Sequence, residues 1–222
     1  MRSKIITIIV CIVSFVAFFV AKDLVKTGMN EYNEHKAVQN EYNEHKAVQK
    51  AYTEFSEVEK EAKIRSQKKG TMRVEEMKEI YQRKAINDLN SYTDKDKKRD
   101  SALTNFMGYY LINVKTRKEF CNNYGIDISD YINEFARGNK SELDLARKYV
   151  FKKKEAENKI YNLMQKQLKE MIQIDMDDIS NNYGLSHTDA CKLFSGDDGI
   201  SLGKEMKFSK QQPLIHQMIY QN

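Results

Sequence analysis

Tryptophan is absent from the chain, proline occurs once and glycine nine times. So few backbone breakers argue against an all-β protein with many tight turns, and for long helices. There is no Gly-rich phosphate loop, no nucleophile elbow, no HExxH and no dinucleotide fingerprint, which removes the signatures of the common nucleotide, hydrolase and metalloprotease sites. Asp175-Met-Asp177-Asp178 and Asp94-Lys-Asp96 open like calcium loops but lack Gly at the sixth place and Glu at the twelfth. Acid is also absent from the first 21 residues, where Arg2 and Lys4 precede a long apolar run.

What is present is charge. Charged residues are 31% of 222 and the formal net charge is +5. Setting Arg2 and Lys4 aside leaves 35 bases against 32 acids, a near balance. The densest basic clusters, Lys95–Arg99 and Lys152–Lys154, are short and interleaved with acids, so they read as solvated helix faces and exclude nucleic acid as the expected partner.

Residues 5–21 carry no charge and read as a transmembrane signal anchor, with Ile5, Ile9, Ile12, Phe15, Phe18 and Val20 among its membrane-anchoring residues. Cleavage after Ala21 would place bulky Phe19 at the −3 position, and cleavage after Gly28 would place Lys26 there, so the segment is expected to stay. Residues 1–4 then form a cytoplasmic tail, and the bulk of the chain lies in the periplasm or outside, on a single-pass cytoplasmic (inner) membrane protein. Cys11 lacks a lipoprotein context and reads as an apolar packing residue. If the segment is cleaved, the product is a secreted or periplasmic soluble helical binding protein.

Residues 22–70 read as a helical stalk. The decad NEYNEHKAVQ occurs twice without change, at 30–39 and 40–49. Ten helical residues turn about 1000°, so the copies face about 80° apart and cannot share one binding face. A spacer is the better reading, and His35 and His45 are simply its two equivalent positions. Val48, Ala51, Phe55, Val58 and Ala62 follow the 3,4 spacing of a narrow coiled-coil-like seam, which also admits a homo-oligomer through the stalk.

Residues 71–222 read as a helical bundle. Val74, Met77, Tyr81, Ala85 and Leu89 form one stripe; Leu103, Phe106, Met107, Tyr110, Leu111, Val114 and Cys121 form a wider one. Asn123-Tyr-Gly125 stops that helix, and Asp127-Ile-Ser-Asp130 starts another that ends at Gly138. Asn139-Lys-Ser-Glu142 matches a capping box and is expected to open the longest helix, through Leu143, Val150, Ile160 and Ile179 to Tyr183-Gly184. Ser186 caps a short helix, the Gly-rich stretch Ser195–Gly203 is expected to be a loop, and Pro213 starts a last helix. The fold class is therefore all-α, with anchor, stalk and bundle in that order.

Cys121 and Cys191 are the two cysteines beyond the apolar run. In an oxidising compartment they are expected to form a disulfide. The competing reading joins Cys121, His187, Cys191 and His216 in a zinc site, or makes Cys191 a nucleophile activated by His187 four residues before it. Asn139-Lys-Ser141 is a glycosylation sequon in hosts that glycosylate exported proteins. Most tyrosines lie in or beside the apolar stripes and read as core. The layout is similar in architecture to bacterial envelope proteins that act by contact, such as division or lysis components. The expected function is protein–protein contact with another envelope protein, without catalysis or cofactor. The alternative is an exported enzyme or zinc protein built on Cys121, His187 and Cys191.

Overall fold

In the computed structural model residues 34–150 and 154–221 are described, with side chains for 46, 48–150 and 157–221. The apolar run 5–21, with the six residues named as its anchor, and the side chains of His35 and His45 lie outside them. Among the described residues every regular element is a helix, and no helix is long and apolar enough to cross a membrane.

The first helix, α1 (Glu34–Lys69), ends where Gly70 takes φ +70° and the amides of Gly70 and Thr71 both reach the Ser66 carbonyl. A side chain with a Cβ would pay for that left-handed turn. The chain then returns antiparallel as α2 (Arg73–Ser91). The seam finds its partner within the chain: Ala51, Phe55, Val58 and Ala62 are buried in the same core as Met77, Ile80, Tyr81 and Leu89 of α2. Residues 48–69 therefore belong to the helical body, and Gly70 is a hairpin turn between packed helices.

Next comes α3 (Lys95–Leu111), started by Asp94, whose carboxylate accepts from the amides of Asp96 and Lys97. Every residue from Ser101 to Leu111 is buried, so this is the central helix. Two of its polar side chains bond back to their own helix, Thr104 donating to the Asp100 carbonyl and Asn105 to the Ser101 carbonyl, while the Tyr109 hydroxyl donates to the Met206 carbonyl. A π-helical turn at Ile112–Thr116 follows and leads into α4 (Arg117–Asn122). Then come α5 (Ser129–Gly138), α6 (Lys140–Tyr149), α7 (Lys154–Tyr183), α8 (His187–Lys192), α9 (Gly196–Glu205), α10 (Phe208–Gln211) and α11 (Pro213–Tyr220).

Several expectations are corrected. The single longest helix from Asn139 to Tyr183 is two helices, α6 and α7. Apolar positions Leu143, Ala146 and Val150 keep the 3,4 spacing, but the next, Ala156, comes six residues on, which a continuous helix cannot place on the same face. The capping box also does not form. The Asn139 side chain is buried and spans inward, donating to the carbonyls of Phe135 and Met206 and accepting from the Phe208 amide. That burial withdraws the sequon too.

The Gly-rich stretch at Ser195–Gly203 is not a loop. It is largely helix α9, and two of its glycines serve close packing, Gly199 against the Phe194 carbonyl and Gly203 against α5. A Cβ on Gly203 would sit 2.9 Å from both the Tyr131 carbonyl and the Glu134 Cβ.

Candidate functional site

Arg117 falls three residues after Val114, on the apolar stripe of its helix, and is fully buried. Its Nη2 donates to Asp175 Oδ2 on α7 at 2.7 Å, and its Nη1 meets the Met176 sulfur at 3.3 Å. The guanidinium lies 4.2 Å from the centre of the Phe194 ring, which packs edge-on against Tyr131. Tyr131 in turn donates to Asn113 Oδ1, and Asn113 donates to the Tyr109 carbonyl. The π-helical turn carries Asn113 and leads directly into Arg117, at the point where α3, α4, α5 and α7 meet.

Burial pushes the Asp175 carboxyl up from its ordinary range against the pull of Arg117, and pushes the Tyr131 phenol far above its own. Arg117 Nε and Asp175 Oδ1 make no further hydrogen bond to a protein group. The cluster ties four helices together.

The disulfide between Cys121 and Cys191 lies beside it, with Cα atoms 5.5 Å apart and both residues buried. It joins α4 to α8, and the sulfur is therefore not a free thiolate for zinc or for nucleophilic attack. Of the four residues considered for a metal, the structure brings Cys121, Cys191 and His187 into one neighbourhood. His216 sits elsewhere, 2.9 Å from Glu142 Oε1 and tilted against the Tyr220 ring. Among the described residues no group of three His, Cys, Asp or Glu side chains converges as a metal centre.

His187 does have partners. Its Nε2 is 2.9 Å from Asp177 Oδ1 and its Nδ1 is 3.0 Å from the Tyr124 hydroxyl, with Phe120 edge-on to the ring at 5.6 Å. Asp177 also accepts from Gln173. Next to this chain runs a shallow groove of about 430 Å³ between α4 and α7, lined by Thr116, Glu119, Phe120, Asn122, Asn123, Lys169, Ile172 and Gln173. Lys169 and Glu119 face each other across it at 3.5 Å. Tyr161 donates to Glu119 at 2.6 Å, and burial together with that acceptor pushes its phenol up to about 12. The arrangement offers hydrogen-bonding amides, one ion pair and an aromatic wall.

The sequence did not single out Arg117, Tyr124 or Asp177. A lone Arg in register with an apolar stripe was the available signal for Arg117. Asp175, Asp177 and Asp178 were weighed only as a calcium loop. In the fold they part company, going to Arg117, to His187 and to the Val74 amide at the start of α2. No protein-family model, no curated protein and no solved structure matches this chain.

Proposed function

We propose that this is a membrane-held helical protein whose exported body acts by contact with another envelope protein and turns over no substrate. The observation that supports it is the continuity of α1. That helix begins thirteen residues beyond Ala21 and runs without a break into the core, where Ala51 to Ala62 are locked against α2. An anchor at residues 5–21 would thus hold the body at a height and orientation set by helix length, which suits a protein that must meet a partner near a membrane. The buried charges also favour a contact role, because Arg117, Asp175 and Asp178 are engaged in bonds between helices of the body.

The test is extraction and capture. Full-length protein in native membranes is expected to resist alkaline carbonate, and photo-crosslinkers placed at Asn123 or Lys169 are expected to trap one discrete partner. A soluble product beginning at Lys22 would replace the anchor with the secreted alternative. The Asp177–His187–Tyr124 chain is the feature that favours an exported enzyme instead. A hydrolytic or transfer activity abolished by His187→Ala, with crosslinking unchanged, would establish that reading.

A further inference from the structure

The chain closes two helices with the same four residues: Asn122-Asn-Tyr-Gly125 ends α4 and Asn181-Asn-Tyr-Gly184 ends α7. The two turns share one backbone geometry. Gly125 and Gly184 take φ +70° and +63°, and the residue after each donates its amide back to the end of the helix, Ile126 to the Cys121 carbonyl at 3.1 Å and Leu185 to the Ser180 carbonyl at 2.9 Å. The glycine accounts for that turn. It does not account for the Asn-Asn-Tyr before it, and there the copies part. In the second copy Asn182 donates to the Asp178 carbonyl at 2.7 Å and Tyr183 packs on the core. In the first copy neither Asn122 nor Asn123 has a side-chain hydrogen bond among the described residues, and Tyr124 is 38% exposed.

The two spare asparagines of the first copy line the groove between α4 and α7. The floor of that groove is apolar, made by the buried Phe120 and Ile172, and its exposed rim is polar. Gln173 stands on the rim with its Nε2 taken by Asp177 and its carbonyl oxygen open. Lys169 and Glu119 are the one base and the one acid among the lining residues, and they face each other at 3.5 Å. Their charges cancel, so the groove does not select a charged ligand. Its 430 Å³ falls within the range of small-molecule sites, about 300–1,000 Å³. Each asparagine amide offers two N–H donors and one carbonyl acceptor, and the group that complements it is another amide. An extended peptide carries its amides in a row and pairs best with a strand edge, and the described residues include no strand. A sugar ring with an acetamido group is compact, uncharged, rich in hydroxyls, and has apolar C–H and methyl surface to set on the floor.

We propose that this groove binds a neutral saccharide bearing N-acetyl groups. The acetamido N–H and C=O pair with the side-chain amides of Asn122 and Asn123, the acetyl methyl lies on Phe120 and Ile172, and ring hydroxyls meet Gln173 and the Lys169–Glu119 pair. Each hydroxyl both donates and accepts, which lets it serve an ammonium, a carboxylate or an amide in turn. The inference goes beyond the protein-contact reading and needs neither the anchor nor a protein partner, since it assigns a ligand to the helical body itself.

The experiment uses the full chain in phosphatidylcholine nanodiscs, or in buffer if it is soluble without lipid, because sugar-headed detergents would compete. It reads saturation transfer by NMR to chitotetraose, an oligomer of N-acetylglucosamine. Transfer is expected to be strongest at the acetyl methyls and to persist at about 0.5 M salt, as no ion pair with the ligand is made. Cellotetraose, which has hydroxyls in place of the acetamido groups, should bind about fivefold more weakly for each amide hydrogen bond lost. Asn122→Ala with Asn123→Ala should weaken chitotetraose about 25-fold, a loss of two such bonds, while the melting temperature holds. Asn181→Ala, in the second copy, should change nothing. No transfer to chitotetraose, equal binding of cellotetraose, or a double variant that binds like the parent overturns the proposal. Crosslinking from Lys169 identifies the source of the saccharide: capture of a partner that excess chitotetraose abolishes places the sugar on that partner, and capture that it leaves unchanged makes the sugar a free ligand. Capture of a protein without any saccharide binding gives the groove to the protein and overturns the inference, while leaving the contact reading in place.

Discussion

The hairpin of α1 and α2 and the region around α3, α5 and α9 are both helical and both buried, yet they are held by different forces. In the hairpin, a narrow apolar seam meets its partner, and polar links join it beside the seam: Arg73 to Glu59 at 3.3 Å, Lys69 to the buried Glu76 at 3.0 Å, and the Asp178 carboxylate on the Val74 amide. In the inner region, a buried ion pair, a buried Asn bonded three ways, a disulfide and two glycine contacts each allow one geometry only. Apolar seams are tolerant because many side chains of similar volume fill them. Buried polar groups are intolerant, since an unpaired one costs its full desolvation. The inner region should therefore answer single substitutions with large losses, and the hairpin with small ones.

The sharpest break is expected at the buried pair. Arg117→Ala should destabilise the protein by about 3–5 kcal/mol, because Asp175 is left charged and buried and Phe194 loses its cover. Urea unfolding measures this, and the double change Arg117→Met with Asp175→Leu should recover most of the loss. If the double variant is no better than the single one, the pair is not what holds the four helices. Removing the disulfide by Cys121→Ala with Cys191→Ala should cost about 2–4 kcal/mol for a closed loop of 70 residues. Loss of the bond should also expose the amides of α8 to hydrogen exchange before those of α3.

Within the helix contacts, Gly203→Ala is expected to cost about 1–3 kcal/mol, as its new Cβ would press on α5 backbone. Gly138→Ala makes the control: its Cβ would meet only the flexible Lys207 side chain at 3.3 Å, so helix propensity should leave it neutral or slightly stabilising. Equal melting temperatures for the two variants would show that α9 is not seated so closely.

The hairpin is expected to give smaller effects. Burial raises the Asp178 carboxyl above its ordinary range, with the Val74 amide and Arg73 pulling it down. A raised folded pKa means that this group's contribution to stability is full below the unfolded value of about 3.9 and declines as pH rises through the folded one. Asp178→Asn should flatten the stability profile in the acid range just above pH 4, and at neutral pH should cost no more than a helix cap, about 1 kcal/mol. A profile as steep as that of the parent would assign the slope to another group.

Removing residues 40–49 should have the smallest effect on the body. The decads are identical, so Val38 and Gln39 move into the places of Val48 and Gln49, and the carbonyl that Gln167 reaches is restored. The melting transition should stay within about 0.5 kcal/mol of the parent, while the distance from residue 21 to the core shortens by about 15 Å if the segment is helical. A clear loss of stability would show that the upstream decad packs on the body as well.

Periodicity is a local property, and what it governs was legible in the chain: the all-helical class, the seam from Val48 to Ala62, the stops at Gly70, Gly125 and Gly184, the start at Pro213, and the pairing of Cys121 with Cys191. Each follows from spacing, from a left-handed glycine, or from there being two cysteines to pair beyond the apolar run. The tertiary structure decided the rest. It turned a Gly-rich stretch into helix α9, because a glycine that permits a turn also permits close packing and only the neighbouring helix says which applies. It split the long helix at Val150, where the stripe loses its phase. It buried Arg117 and Asn139 by supplying partners 58 and 67 to 69 residues away, and no local pattern can announce a partner at that distance.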